Sequence, residues 1–284
     1  LILPSLTAAI ILLIVGITGY YGIRYTASDL TFQRSLVAAA QNNGSLTYQE
    51  QAKAISAFPY RDGFYRVFSQ TNLALANTLA AQTPRGASPS AQVQQNITTL
   101  IQQSINSARA ATSVAPQSYV NWQNLSSVYR GLIGFGQNAE SFAIATAQQS
   151  INLDPNNPQQ YISLGGIYYQ LGQWDNAQNQ FQIAIALKPD YANSHYNLGH
   201  ALEQKGDLQN ALVQYQIVRS LVINDKASLE QIDKEIAALQ GKAQEAASGG
   251  QESALNIDKP QTQLPPQNPP VEIPAPQVAT GSSR

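Results

Sequence analysis

The chain begins with a long uninterrupted run of apolar residues. Residues 1–23 contain no charged side chain, and the first charge is that of Arg24. A helix of about 20 apolar residues is long enough to cross the hydrocarbon core of a bilayer. Tyr20 and Tyr21 stand at the end of the run, where aromatic rings prefer the membrane interface. The pattern predicts a transmembrane helix over residues 1–23.

A cleaved signal peptide is the alternative interpretation of this segment. It would have a shorter apolar stretch, a basic leader and a small-residue cleavage site, which the sequence does not clearly show. After the run, Arg24 and Arg34 are accompanied by Asp29, so the flank lacks the excess of Lys and Arg that is typical of the cytoplasmic side. We expect a single span in this chain, with the soluble part on the extracytoplasmic side of the membrane.

A different hydrophobic pattern follows, and it repeats with a period of about 34 residues. One copy contains a fixed series of large apolar, small and helix-ending residues: Tyr161, Leu164, Gly165, Tyr168, Gly172, Ala177, Phe181, Ala184 and Pro189. The next copy has Leu198, Gly199, Leu202, Gly206, Ala211 and Tyr215 at the same positions, with His195 as the first residue and Ile223 as the last. An earlier copy consists of Trp122, Leu125, Tyr129, Ala143, Ala147 and Pro155, with a longer turn at 131–136. A period of this length indicates helix–turn–helix units.

The residue types in each copy explain why such a unit would fold. Large side chains fill the space between two paired helices, Gly and Ala let the backbones approach, and Pro ends the second helix. A single unit cannot bury its apolar face alone, so neighbouring units must stack. The sequence therefore predicts an all-α solenoid of stacked helix pairs, with three repeats over residues 119–223.

Residues 24–118 carry a weaker form of the same pattern. Ala54–Pro59 and Ala111–Pro116 keep the Ala-to-Pro spacing of the clear repeats. We interpret the segment as two divergent, repeat-like helix pairs, Ala27–Phe58 and Arg61–Val114. The second pair is extended by a loop at 83–90 that is rich in Pro, Gly and Ser.

The residues after the repeats predict one more helix and a tail. Residues 226–247 have an apolar stripe and a polar outer side, which is typical of the capping helix of a solenoid. Residues 248–284 are rich in Pro and Gln with few apolar anchors, so we expect them to be disordered.

Composition excludes several classes of function. The formal net charge is -1 and only 12% of residues are charged, so the chain lacks the basic footprint of a nucleic-acid-binding protein. No Cys is present, which excludes disulfides, thiolate metal sites and cysteine nucleophiles. The chain also has no Met, even at its first position, and we therefore expect it to be a processed product or part of a longer protein.

The two histidines do not suggest chemistry. Their spacing places His195 and His200 on different sides of a helix, so they do not form a metal-binding pair. His195 stands at a core position of the repeat, whereas His200 is expected on the open side, where Glu203 is close enough to pair with it. No Ser or Cys nucleophile accompanies either histidine. We expect no catalytic residues, no metal site and no cofactor in this chain.

Residues 119–223 resemble the tetratricopeptide repeat family. The resemblance implies a binding module whose groove is lined by the first helix of each repeat. Carried onto this sequence, the groove positions are Gln123, Asn124, Arg130, Gln159, Tyr169, Gln170, Asn193, Tyr196, Asn197 and His200. Asn124 and Asn197 occupy one equivalent place and are predicted to read the backbone of a protein or peptide partner. None of these residues is Lys, which argues against a partner held by its C-terminal carboxylate.

A second resemblance concerns the part before the repeats. An apolar span running into Tyr25–Asp29, followed by the stretch Pro59–Asn77, is similar to the C-terminal part of bacterial O-antigen ligase-like membrane proteins. This resemblance implies that glycan-joining chemistry would reside in upstream helices. The leading hypothesis is a membrane-anchored scaffold for protein–protein interaction. The repeat region of such a glycan enzyme and a self-assembling structural protein are the alternatives.

Overall fold

The computed structural model describes residues 2–82 and 89–249, with side chains described for 7–82 and 89–245. These residues form eleven α-helices and no strand, so the all-α prediction is confirmed. The helices are α1 (Ile2–Ala40), α2 (Gly44–Ala57), α3 (Asp62–Ala81), α4 (Ala91–Val114), α5 (Tyr119–Arg130), α6 (Ala139–Leu153), α7 (Pro158–Gln170), α8 (Trp174–Leu187), α9 (Ala192–Gln204), α10 (Leu208–Leu221) and α11 (Lys226–Gly249). Most of the predicted loop at 83–90 and almost all of the predicted disordered tail lie outside the described residues.

The chain divides into two compact units, Leu1–Val128 and Tyr129–Arg284. In the first unit, α1 pairs with α2 and α3 pairs with α4, and α2 packs on α3. The rings of Phe32 and Phe64 stack with centroids 4.3 Å apart at the centre of the α1–α3 core. The α3–α4 contact is partly polar, because the Ser104 hydroxyl donates to the Ser69 carbonyl over 2.8 Å.

Helix α1 is continuous across the predicted end of the membrane span. The sequence around residue 23 contains no proline, and the Thr26 hydroxyl bonds to the Gly22 carbonyl without interrupting the helix. Residues from Thr7 to Ile23 are exposed, and burial against other helices begins at Ser28. The stretch Thr7–Ala40 is long and apolar enough to cross a membrane by length and composition, a property that signal sequences share.

In the second unit, α7 pairs with α8 and α9 pairs with α10, as the repeat pattern predicts. Each pair turns at a glycine with a positive φ, Gly172 at 70° and Gly206 at 79°. The residue after each glycine donates its backbone N–H back to the first helix: Gln173 to Tyr168 and Asp207 to Leu202, both over 2.9 Å. Glycine adopts this backbone conformation more readily than residues that carry a Cβ atom, so a glycine here favours the end of the first helix.

One side-chain contact recurs at the start of all three repeats. Trp122 Nε1 donates to the Pro116 carbonyl over 2.8 Å, and the Tyr161 hydroxyl donates to the Pro155 carbonyl over 3.0 Å. His195 Nε2 lies 2.9 Å from the Pro189 carbonyl. Because a carbonyl only accepts, this nitrogen carries the proton. At this position His195 therefore replaces Trp122 and Tyr161, with a ring that donates the same hydrogen bond. His195 is 6% exposed, in agreement with its predicted core location.

Candidate functional site

A pocket of about 210 Å³ lies between α3 and α5 in the first unit. Its lining residues are Arg66, Gln70, Leu73, Val120, Gln123, Asn124, Ser127 and Val128. On each helix these residues follow the three- and four-residue spacing that places side chains on one face. The repeat pattern predicts α3 and α5 as first helices of their pairs, and the tetratricopeptide resemblance implies that first helices carry the partner-binding surface.

Two of the predicted groove residues line this pocket in different ways. Gln123 is half-buried at the pocket, whereas Asn124 is only 6% exposed. The Asn124 amide is engaged by α3: Gln70 Nε2 donates to its Oδ1 over 2.9 Å, and its Nδ2 lies 3.4 Å from the Ser69 hydroxyl. Asn124 thus holds α5 against α3. Its reading of a partner backbone stays a prediction that requires these bonds to open.

Arg66 lines the pocket, and neighbouring polar side chains hold its guanidinium group in place. Arg66 Nη1 donates to Asn121 Oδ1 over 3.0 Å and lies 3.7 Å from Asp62 Oδ2. Asn121 Nδ2 in turn donates to Asp62 over 2.9 Å. The guanidinium charge is therefore largely balanced, and the pocket presents mainly amide and hydroxyl groups above the apolar side chains of Leu73, Val120 and Val128.

In the second unit, Arg130 and Gln170 form a reciprocal contact. Arg130 Nε donates to Gln170 Oε1 over 3.1 Å, and Gln170 Nε2 lies 3.4 Å from the Arg130 carbonyl. The guanidinium packs on Gly166, where a Cβ atom would come within 2.9 Å of it. Burial lowers the pKa of Arg130, and no carboxylate of the described residues pairs with it. Arg130 is consequently a partly desolvated cation with remaining donor capacity.

The other predicted residues of α7 lie beside aromatic rings. Gln159 accepts a hydrogen bond from the Tyr191 hydroxyl over 2.9 Å. Tyr169 meets the Trp174 ring edge-on, with centroids 5.0 Å apart. Gln159 and Tyr169 remain partly exposed, and the rigid rings of Tyr169 and Trp174 offer contact area at a small loss of side-chain entropy.

On α9, Tyr196 and His200 face helix α11. The Tyr196 hydroxyl donates to Glu235 Oε1 over 2.9 Å, and His200 Nε2 lies 3.6 Å from Glu235 Oε2. Asn193 and Asn197 lie on the outer part of the helix, where Asn197 Nδ2 donates to the Asn193 carbonyl over 2.7 Å. Tyr196 and His200, two of the four groove residues of this repeat, therefore contact the chain itself.

The reason for this arrangement is that α11 continues the repeat. Leu229, Ile232 and Ile236 follow His195, Leu198 and Leu202 at the same period, and Ile232 is 2% exposed. The predicted capping helix thus occupies the place of the first helix of a further repeat, a position that was not predicted from the sequence. The shared spacing was the signal that could have revealed it.

A cluster of polar side chains connects α11 to α9 and α10. Lys242 Nζ lies 2.7 Å from Glu203 Oε1, and the Tyr215 hydroxyl lies 3.2 Å from Glu203 Oε2 and 3.0 Å from His200 Nδ1. Burial opposes ionisation of Glu203, but the hydrogen bond and charge of Lys242, with Tyr215 and His200, outweigh it and lower its pKa. Burial, together with the nearby Glu203, strongly raises the pKa of Tyr215.

Across 2–82 and 89–249, no group of three or more His, Asp or Glu side chains is placed to hold a metal ion. The predicted pairing of His200 with Glu203 is a contact of 3.9 Å bridged by the Tyr215 hydroxyl. These side chains join α9, α10 and α11 through hydrogen bonds.

The geometry defines a helical-repeat protein, and comparison specifies the repeat. Residues 165–206 match the family described as TPR repeat, and the predicted resemblance to tetratricopeptide repeats is confirmed. Over residues 165–206 the chain is therefore similar to tetratricopeptide repeat proteins. No curated protein matches the sequence.

Solved structures agree with this fold. MamA from Desulfovibrio magneticus RS-1, residues 41 to the end, is 12% identical with a TM-score of 0.53, over 70% of this chain and 97% of that one. A thermophilic TPR protein from Thermus thermophilus, TTC0263, is 15% identical with a TM-score of 0.52, and the match covers 75% of this chain and 98% of that protein. PilW, a type IV pilus biogenesis factor, is 18% identical with a TM-score of 0.54, and the match covers 78% of this chain and 90% of PilW. At these identities the likeness shows the fold alone. The resemblance to O-antigen ligase-like proteins stays a prediction.

Proposed function

We propose that this chain is a noncatalytic, membrane-anchored scaffold whose first-helix faces bind a protein or peptide partner. The observation that carries the proposal is the pocket between α3 and α5, which two neighbouring first helices line with amide and hydroxyl groups. Stacked helical repeats use such faces as extended binding surfaces.

The lining suggests what kind of segment would bind. Gln and Asn amides both donate and accept hydrogen bonds, so they complement the main chain of an extended peptide or the polar side of a helix. Leu73, Val120 and Val128 provide apolar contact beneath them. In the second unit, considered by itself, the donor capacity of Arg130 suits an acidic side chain of a partner.

Membrane anchoring is proposed from the exposed part of α1. Ile11, Leu12 and Leu13 are 60–70% exposed, and no described helix covers them. Leaving a continuous apolar helix in water is unfavourable, whereas a bilayer buries it completely. The flank after the span lacks a basic excess, which favours an extracytoplasmic location of the repeats.

Site-specific photo-crosslinking tests the binding surface. A photoreactive residue in place of Gln123 should crosslink to the partner in membranes, whereas one in place of Gln148, exposed on the second helix α6, should not. Once the partner is identified, Gln123→Ala should weaken its affinity and Gln148→Ala should leave it unchanged. Equal crosslinking from both positions would contradict the proposal.

A further inference from the structure

Aromatic residues gather where the exposed part of α1 meets the first packed helices. Tyr20 and Tyr21 end the apolar run, and Tyr25 follows one turn later with 47% of its surface exposed. The turn between α2 and α3 adds Phe58 and Tyr60. The rings of Tyr25 and Phe58 meet edge-on at 5.5 Å, and those of Phe58 and Tyr60 at 5.3 Å. Tyr60 is 64% exposed, so the cluster is open to its surroundings.

Two arginines attach this turn to α1. Arg24 Nη1 donates to the Tyr20 hydroxyl over 3.0 Å, and its Nη2 donates to the Ser56 carbonyl in the last turn of α2 over 2.9 Å. Arg61 stands 5.0 Å from the centroid of the Tyr25 ring and pairs with Asp29 over 2.7 Å. These contacts fix the position of the α2–α3 turn along the axis of α1.

The dimensions of the cluster match the polar layer of a bilayer. Tyr25 lies five residues beyond Tyr20, which corresponds to about 7.5 Å along the helix axis. The headgroup layer on each side of the hydrocarbon core is about 5–8 Å thick. Because Tyr25 contacts Phe58, the α2–α3 turn lies within the same layer when the predicted span, residues 1–23, crosses the membrane. Tyr rings and arginine side chains prefer this layer, where one end is apolar and the other hydrated.

We infer that the α2–α3 turn is a second membrane-contact element, whose Phe58 and Tyr60 insert into the headgroup layer of a phospholipid bilayer beside Tyr20, Tyr21 and Tyr25. The inference rests on the proposed membrane span. Its consequence is that α1 and α2 stand upright on the membrane. The α1–α2 turn at Gln41, about sixteen residues beyond Tyr25, is then about 24 Å further along α1 and lies in water.

The absence of native cysteine makes a labelling test clean. The full chain is reconstituted in phosphatidylcholine vesicles with a nitroxide label at one of three substitutions, Leu12→Cys, Tyr60→Cys or Gln41→Cys. Accessibility is measured to oxygen, which enters lipid, and to a water-soluble nickel reagent. We expect Leu12 to be protected from nickel, Gln41 to be freely accessible, and Tyr60 to be several-fold less accessible than Gln41. Ser56→Cys, at the end of α2 and next to the α2–α3 turn, should show the same reduced accessibility to nickel as Tyr60→Cys, and it leaves all the aromatic rings in place.

The result separates the inference from the proposal on which it rests. If Leu12 lies in lipid while Tyr60 and Ser56 are as accessible to nickel as Gln41, the second contact is wrong and the span stands. If Leu12 is itself accessible to nickel, the membrane span is wrong, and the inference falls with it.

Discussion

The ring of Phe181 packs against the backbone of Gly165, on the side where any other residue would carry its Cβ atom. The ring of Tyr215 stands in the same relation to Gly199 in the next repeat. Phe181 and Tyr215 are each 1% exposed. In each pair the glycine therefore sets how closely the two helices approach, and the aromatic ring fills the space that this approach leaves.

The first prediction follows from this contact. Gly165→Leu should lower the free energy of unfolding by about 1–3 kcal/mol or more, because the added side chain must displace a buried ring. Gly241→Leu is the matched control, since a side chain there meets nothing within 4 Å on an exposed helix. It should leave the melting temperature unchanged or slightly raised. Thermal unfolding of the full chain in detergent measures both, and equal melting temperatures would show that the assigned repeat register is wrong.

The second prediction concerns the contact that begins each repeat. His195→Phe should reduce stability by about 1–3 kcal/mol, because the ring remains but two contacts are lost, that of Nε2 with the Pro189 carbonyl and that of Nδ1 with Gln214 Oε1, at about 0.5–1.5 kcal/mol each. Tyr161→Phe removes the equivalent bond at a more exposed place, where water replaces it, so we expect a smaller loss. Urea unfolding of the two variants checks the order. A larger effect at Tyr161 would contradict the explanation.

The third prediction separates two equivalent asparagines. Asn124→Ala should destabilise the first unit by about 1–3 kcal/mol, because it removes two hydrogen bonds of a nearly buried amide, to Gln70 and to the Ser69 hydroxyl, at about 0.5–1.5 kcal/mol each. Asn197→Ala removes only a contact with Asn193 on an exposed face, and a change within about 0.5 kcal/mol is expected. Urea unfolding checks the difference. If both variants are as stable as the parent and both weaken partner binding, the earlier hypothesis of a backbone-reading pair is favoured.

The fourth prediction is a pH dependence of the docking of α11. The pKa of Glu203 is lowered in the folded chain, so its contribution to stability is present at neutral pH and is lost as the pH falls through that lowered pKa. Glu203→Gln should therefore be less stable than the parent at neutral pH, and the difference should shrink in acid. Glu230→Gln, exposed on α11, is the control with little effect at either pH. Urea unfolding midpoints of the parent and the two variants, measured from neutral pH into acid, test this prediction. A stability difference between Glu203→Gln and the parent that grows in acid would contradict the lowered pKa of Glu203.

The sequence determined the repeat because each of its positions has a local physical meaning. A glycine at the end of a first helix, a glycine opposite an aromatic ring and a proline after a second helix constrain the backbone wherever they occur. Gly172 and Gly206 form the expected turns, and Gly165 and Gly199 the expected close approaches. The all-α class and the helix pairs of the repeats followed from these positions alone. The prediction of the membrane span likewise depended only on consecutive residues, the uncharged run before Arg24.

The tertiary structure decided which polar residues remain available for a partner. Asn124 and Asn197 share one place in the repeat, yet α3 engages the first, whereas the second lies on an open face. Tyr196 and His200 were predicted to face a groove, but α11 lies where a further first helix would stand. The joining of the α2–α3 turn to α1 through Tyr25 and Phe58 was likewise invisible in the sequence. A side chain's partners depend on contacts between residues distant in sequence, which no local pattern encodes, whereas helix pairing depends on a period that the sequence displays directly.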